Sequence, residues 1–503
     1  MPLQIPSFPV PGVNKREAEE DTELCVVETE EATEEEAKAG DEGAAENGEE
    51  SEPPEMLDLI EGIEESKDSE ALVKVLRDLS RRLHLSPEDR DLLSDFEGTN
   101  QLCAVLKSPP FEWQGEAMHA FCKVLPDICR TSNVNRGALR DSGAIDACVA
   151  FLRAGVDEKD EMRAISACIG LTALCTANDG NKKAAAQLRG DFNEEELVET
   201  DADYRTPLFK APDQLGALDL LLKALSEFPA SVPLQTQGCA ALRILLCDDD
   251  DRQASCVPSA VENRERAVND EHFPGYRAAV ERALGLEASG KAFLRLREQA
   301  MLLLREISCR QDRIHELVFK AKLLPLIEAS LKDGDERVVR ASLAVIRAFA
   351  FSDDLKEQLA VESDVALRCV AAVQKHMDCP PIVEQGFGLF ANLTMRKPHI
   401  ADRLNGPEYR MFAVGLLVLS KYRQKPSVVR SVVQTLRNVA TQQEAAALEA
   451  KESDLFEQLH NLVVEHEAEA GKWRSPVEIS KQFLREFRAD EGLRKAATYN
   501  EFY

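Results

Sequence analysis

"GFGLFANLTMRKPHIADRL" (residues 386–404) and "SVVQTLRNVATQQEAAALE" (431–449) read as two copies of one pattern. In each, apolar residues three and four apart describe a helix, a polar turn interrupts it, and a second apolar helix follows. Each first helix also carries an asparagine in the middle of its apolar stretch, Asn392 or Asn438, where an amide needs a partner or access to water. Two readings of the pair are open: they lie exposed on a face that binds something, or they are ordinary surface residues.

The same pattern extends in both directions. With Asn392 as the reference, equivalent positions fall at Asp78, Asp127, Ala173, Ile244, Glu306, Ala348, Asn438 and Glu486. The nine positions are separated by 49, 46, 71, 62, 42, 44, 46 and 48 residues in chain order. Six of these steps match the period of a two- or three-helix solenoid unit. The two long steps contain "GDFNEEELVETDADYRTPLFKAPDQ" and "CDDDDRQASCVPSAVENRERAVNDEHFPGYR", which read as insertions near 190–214 and 248–290. Each unit contacts only its neighbours, so the expected product is an elongated superhelix with a concave surface.

Composition agrees with helices throughout. A chain of 503 residues is too long for one ordinary core, and aromatics are only 6%, with few β-branched runs. The net charge is -29, and residues 1–55 hold 18 acidic residues against 3 basic ones. That segment buries too little apolar area to repay its ordering and reads as a disordered acidic tail. The repeats are expected over 56–497, with a C-terminal tail at 498–503. So acidic a surface argues against specific nucleic-acid binding and against anionic membranes. The 13 cysteines are odd in number, form no CxxC pair and fall on apolar faces, so they read as reduced core thiols. With no signal peptide and no apolar run near 18 residues, the expected location is cytoplasmic or also nuclear.

The units resemble armadillo repeats, and "IVEQGFGLFANLTMRKPHIADRL", "VVRSVVQTLRNVATQQEA", "LLCDDDDRQ" and "ISKQFLREFRADEGLRK" are similar to the armadillo repeat-containing protein 6 family. The likeness spans roughly residues 70–495 and leaves the tail outside. It implies an all-α, armadillo/HEAT-type right-handed α-solenoid of about nine helical units, in which the third helix of a unit often presents an inward asparagine to the backbone of an extended peptide. Importin-type repeats pair that asparagine with a tryptophan one turn earlier, where this chain has Gly388 and Gln434. A reader of basic localisation signals is therefore not expected.

The motifs with enzymatic overtones fail on context. "GLEASGKA" (285–292) fits GxxxxGK, but a helix precedes it and Ala292 replaces the hydroxyl that would hold magnesium. The run Asp248 to Asp251 lacks the spacing of a calcium loop. His460 and His466 are six apart, off a common helix face, and read as surface residues. No catalytic residue, metal or cofactor is expected, and the chain reads as a non-enzyme.

A row of arginines is the more specific feature. One residue before the reference position stand Arg77, Arg243, Arg305, Arg347, Arg437 and Arg485, with Pro126, Thr172 and Ala391 as the exceptions. Two roles are open. The stems cover the seam between repeats and the heads stay in water, since Val73, Cys239, Met301, Leu343 and Val433 one turn earlier are apolar. Alternatively, Arg243, Arg305, Arg347 and Arg437 join Asn392 and Asn438 in a partner-binding groove, and their forks engage carboxylates or phosphates. The expected function is then a protein-protein interaction scaffold for extended, acidic or phosphorylated segments. A transport or chaperone adaptor is the alternative, and a nucleotide-binding enzyme at "GLEASGKA" is a more distant one. The opposite charge of the tail further suggests that it folds back onto the arginines and competes with outside ligands.

Overall fold

The computed structural model describes residues 55–488 except 87–88, 90–91, 94–96, 108–114, 131, 187–215, 248–257, 270, 286–289, 309–322, 333 and 469–470. Residues 1–54 of the acidic tail, the run Asp248 to Asp251, the region 498–503 and residues 286–289 of "GLEASGKA" thus lie outside the described residues.

The second quoted stretch shows how the helices arise. Lys425 is extended, Pro426 and Ser427 begin the helix, and the proline costs nothing at a position whose N–H has no intrahelical partner. Val428, Val429, Val432, Val433, Leu436 and Val439 then form one buried side of Pro426–Ala440. Five valines on that side lower intrinsic helix propensity by tenths of a kcal/mol each, roughly, whereas each buried side chain contributes about 1.5–3 kcal/mol. Burial decides the outcome. Elsewhere the starts are fixed by side-chain caps: Asp68, Ser132, Asp160, Ser231 and Asp335 each accept from a backbone N–H in the first turn.

Among the described residues there are 24 α-helices and no strand. The first two units contribute α1 (Met56–Glu65), α2 (Ser69–Leu85), α3 (Gly98–Lys107) and α4 (Glu116–Cys129). The third has α5 (Asn133–Asp141), α6 (Ala144–Glu158) and α7 (Glu161–Cys175), and the fourth α8 (Asp179–Ala186), α9 (Ala217–Glu227) and α10 (Val232–Leu246). Then come α11 (Pro258–Ala267), α12 (Phe273–Gly285) and α13 (Lys291–Ser308), followed by α14 (Leu324–Ser330) and α15 (Glu336–Phe349). The seventh unit is α16 (Asp353–Glu357), which runs into a π turn at Gln358–Glu362, with α17 (Val365–Lys375) and α18 (Pro380–Thr394). The last two are α19 (Pro398–Leu404), α20 (Met411–Lys421) and α21 (Pro426–Ala440), then α22 (Glu444–Glu452), α23 (Leu455–His466) and α24 (Arg474–Arg488). Within 248–290, α11 and α12 take the first- and second-helix places of the fifth unit.

The third helices α2, α4, α7, α10, α13, α15, α18, α21 and α24 pack side by side in that order. Every substantial helix contact lies within a unit or between adjacent units, and one buried apolar seam runs from Met56 to Leu484. The protein is an armadillo-type α-solenoid. Seven of the nine reference positions stand two residues before the last residue of their third helix, and Ala348 stands one before. Among the described residues no helix is long and apolar enough to cross a membrane.

Candidate partner-binding face

Stacking nine third helices produces a face whose chemistry changes along its length. Four residues before the reference positions, exposed Lys74 and Lys123 open the row. Ile169, Ala240, Leu302, Ala344 and Gly388 follow, partly or wholly buried, and half-buried Gln434 and exposed Gln482 close it. The row is cationic, then apolar, then rich in amides.

Both asparagines are turned toward the neighbouring unit. Asn392 Nδ2 donates to the Arg347 carbonyl (3.3 Å), and Asn438 Nδ2 donates to the Ala391 carbonyl (2.8 Å). These carbonyls need outside donors because they lie in the last turn of a helix. The amides four residues on, Phe351 N and Met395 N, bond to Ala348 and Asn392 instead. Each asparagine therefore supplies what the preceding third helix lacks. Asn438 Oδ1 also accepts from Gln434 Nε2 (2.9 Å), while Asn392 Oδ1 has no partner among the described residues.

The arginines are engaged to different degrees. Arg437 grips Glu486 of the next unit with both arms, Nε to Oε2 at 2.8 Å and Nη2 to Oε1. Arg305 binds Glu306, and Arg347 donates to Gln385 in the next unit (3.1 Å). Its guanidinium also covers Gly388: a Cβ there would stand 2.6 Å from Arg347 Cζ. The place that holds tryptophan in importin-type repeats is thus filled by a side chain from the preceding unit. Arg243 is half-buried, with Nε enclosed and unpartnered among the described residues. Arg77 meets Glu116 loosely at 3.6 Å, both exposed. Arg485, and Arg430 two turns before Asn438, are exposed with no partner among the described residues.

Burial separates these pairs energetically. Glu306 and Glu298, the latter held by Arg340 at 2.8 Å, are each 3% exposed at the side chain. Removing Arg305 would strand the buried Glu306 carboxylate, a change that costs about 3–5 kcal/mol. The open Arg77 pair is worth at most about 1 kcal/mol. Hydrogen-bonding capacity left over for a ligand clusters at the C-terminal end. Asn392 Oδ1, Gln434 Oε1, Gln385 Nε2 and the whole Gln482 amide are unpaired among the described residues, and Gln442 Oε1 is enclosed without a donor.

Some structural residues were not anticipated. Asn135, Asn181 and Asn263 donate to the Ile128, Leu174 and Leu245 carbonyls, each one residue after a reference position. Asn135 and Asn181 both fall eight residues after their references, a spacing that the repeat alignment contains. One expectation is corrected. His466 is not a surface residue: it is 9% exposed and stacked on Trp473 with centroids 3.6 Å apart, because the turn after α23 folds Trp473 back over it. His460 is exposed. The ten described cysteines are unbridged and all but Cys379 are buried, with burial pushing Cys129 and Cys239 up to about 12. No group of three or more metal-ligating side chains occurs among the described residues.

No family model matches the chain. Over 195 residues it is 26% identical to armadillo repeat-containing protein 6 of Pongo abelii and 25% identical to that of Homo sapiens. Each alignment spans 36% of this chain and 36% of the relative. An engineered protein superposes with a TM-score of 0.41 at 14% identity, covering 54% of this chain and all of its own. A structure from work on a phosphorylation switch in the cadherin–beta-catenin interaction gives the same TM-score and identity over 86% of this chain and 83% of its own.

Proposed function

We propose that this armadillo-type repeat protein is a non-enzymatic interaction scaffold, and that its partner lies as an extended segment across the third helices of the last three units. The observation that carries this reading is the unpaired amide chemistry gathered on α18, α21 and α24. An extended backbone presents alternating N–H and C=O groups, and Asn392 Oδ1, Gln434 Oε1, Gln385 Nε2 and Gln482 offer the complementary acceptors and donors. Each such bond is worth only about 0.5–1.5 kcal/mol net, so several must act together. Arg430 and Arg485 flank the amides with free guanidiniums, which favours an acidic or phosphorylated segment. Arg347 and Arg437 serve first as struts between helices, and Arg305 serves first to neutralise the buried Glu306 beside it. A ligand that uses Arg437 has to displace Glu486. Asn438 lies within this stretch, whereas Arg243, on α10 of the fourth unit, lies outside it. The free thiols and the absence of a spanning helix among the described residues suit a reducing compartment, cytoplasmic or nuclear.

The test spares the structural arginines, whose reversal would confound binding with unfolding. The intact protein is compared with R430E/R485E and with Q434A/Q482A in pull-downs from cell extract, after matched melting curves. Loss of one shared partner set in both variants is the expected result. Retention in R430E/R485E alone would leave the groove standing and end the acidic reading. Retention in both would end the groove reading and turn attention to an adaptor surface elsewhere.

A further inference from the structure

The opposite end of the row has its own open cations. Lys74 and Lys123 occupy equivalent positions on the adjacent helices α2 and α4, are exposed, and have no hydrogen bond or ion pair among the described residues. Arg77, three residues after Lys74, is held among the described residues only by its loose contact with Glu116. Half-buried His119, one turn before Lys123 on α4, has its pKa lowered first by burial and then by Lys123 and Arg77, against Glu116 and Asp160. Glu70, Asp78, Glu116 and Asp127 share the two helices, and the surface is mixed rather than uniformly basic. A counter-charge therefore binds here only if it is supplied at high local concentration.

The chain has such a supply, and its point of departure is close by. The three-residue connection turns α2 back along α1, and Gly62 faces Val75, 3.1 Å from a Cβ built on the glycine. Counting away from that contact in opposite directions sets Met56 beside about residue 81, at the helical rise of about 1.5 Å per residue. The segment before Met56 thus leaves the fold at the level of about residue 81 on α2, roughly one turn beyond Arg77 along the axis. Residues 17–36, "EAEEDTELCVVETEEATEEE", hold eleven acidic residues and no basic one. At most about 3.3–3.6 Å per residue, the chain from Glu36 to Met56 spans the width of several units, and such a tether gives an effective concentration on the order of mM.

We propose that residues 17–36 of this chain occupy the surface formed by Lys74, Arg77 and Lys123. The surface is then an intramolecular docking site for an acidic peptide, separate from the amide-lined end of the row. Exposed pairs of this kind weaken with salt, so the occupancy is salt-sensitive.

Zero-length carbodiimide cross-linking of the full chain, mixed with an isotopically heavy copy and read by mass spectrometry, tests this. The expected products are light–light and heavy–heavy links from Lys74 and Lys123 to residues 17–36, reduced several-fold at high salt. Links spread evenly over exposed lysines such as Lys332, Lys375 and Lys425 would overturn it, as would a predominance of light–heavy links, which would make a second copy the occupant. A second readout does not depend on cross-linking chemistry. A fluorescent 17–36 peptide should bind the full chain about tenfold more tightly once Glu28, Glu30, Glu31, Glu34, Glu35 and Glu36 are changed to Gln, because the competitor is gone. Equal binding to both forms, or no binding to either, would end the proposal, and K74E/K123E in the Gln background should abolish the gain.

Discussion

A carboxamide decides how the third helices of the seventh and eighth units meet. Asn438 donates to the Ala391 carbonyl and accepts from Gln434, so Asn438→Ala removes two bonds and leaves a last-turn carbonyl without a donor. The expected cost is about 1–3 kcal/mol, felt locally. Hydrogen exchange measured by mass spectrometry should show faster exchange across 380–394 and 426–440, with 144–175 unchanged. Asn438→Asp should be at least as damaging, because a carboxylate would face the carbonyl it replaces as a donor's target. The sequence singled out both asparagines because a polar residue recurs at a fixed place in an apolar helix. Their partner was not legible, since the acceptor is a backbone atom 47 residues earlier and no residue type marks it. His466 escaped for a related reason: six residues from His460 it shared no ligand face and read as surface, and the Trp473 ring that covers it arrives from the far side of a turn.

At the scale of the element, two glycines in α18 separate packing from propensity. A Cβ on Gly386 would run into Val373 Cγ2 of α17, in a fully buried seam. A Cβ on Gly388 would meet only the mobile end of the Arg347 side chain. In both places alanine gains about 0.5–1 kcal/mol of backbone stability, and overpacking a core costs typically about 1–3 kcal/mol. Gly386→Ala should therefore destabilise by about 1–2 kcal/mol in chemical denaturation, whereas Gly388→Ala should be near neutral. Equal costs would mean that Arg347 cannot move aside. The nine third helices were readable because 3.6-residue periodicity and spacing carry them. What fills the gap beside Gly388 was not readable, because the filling side chain belongs to another unit and a one-residue error in register turns it by about 100°.

At the scale of the whole molecule, the polar contacts repeat as the helices do. Lys223–Asp157, Arg368–Glu328, Arg403–Asp364, Lys421–Asp378, Arg423–Glu465 and Arg437–Glu486 each join adjacent units. Each exposed pair is worth at most about 1 kcal/mol, so cohesion rests on the buried seam between neighbours. Helix α24 packs on α21 and α23, with no following unit among the described residues, whereas α18 has a third helix on either side. In rising denaturant α24 should lose exchange protection before α15 and α18, and simultaneous loss at all three would refute nearest-neighbour cohesion. The bond from each asparagine to the preceding carbonyl has a mechanical consequence. The joint between the sixth and seventh units and that between the seventh and eighth share one design and lie in series along the chain. Stretched between its ends, the molecule should yield by successive ruptures, each bearing the load of a single joint, and a longer array would extend further without becoming stronger.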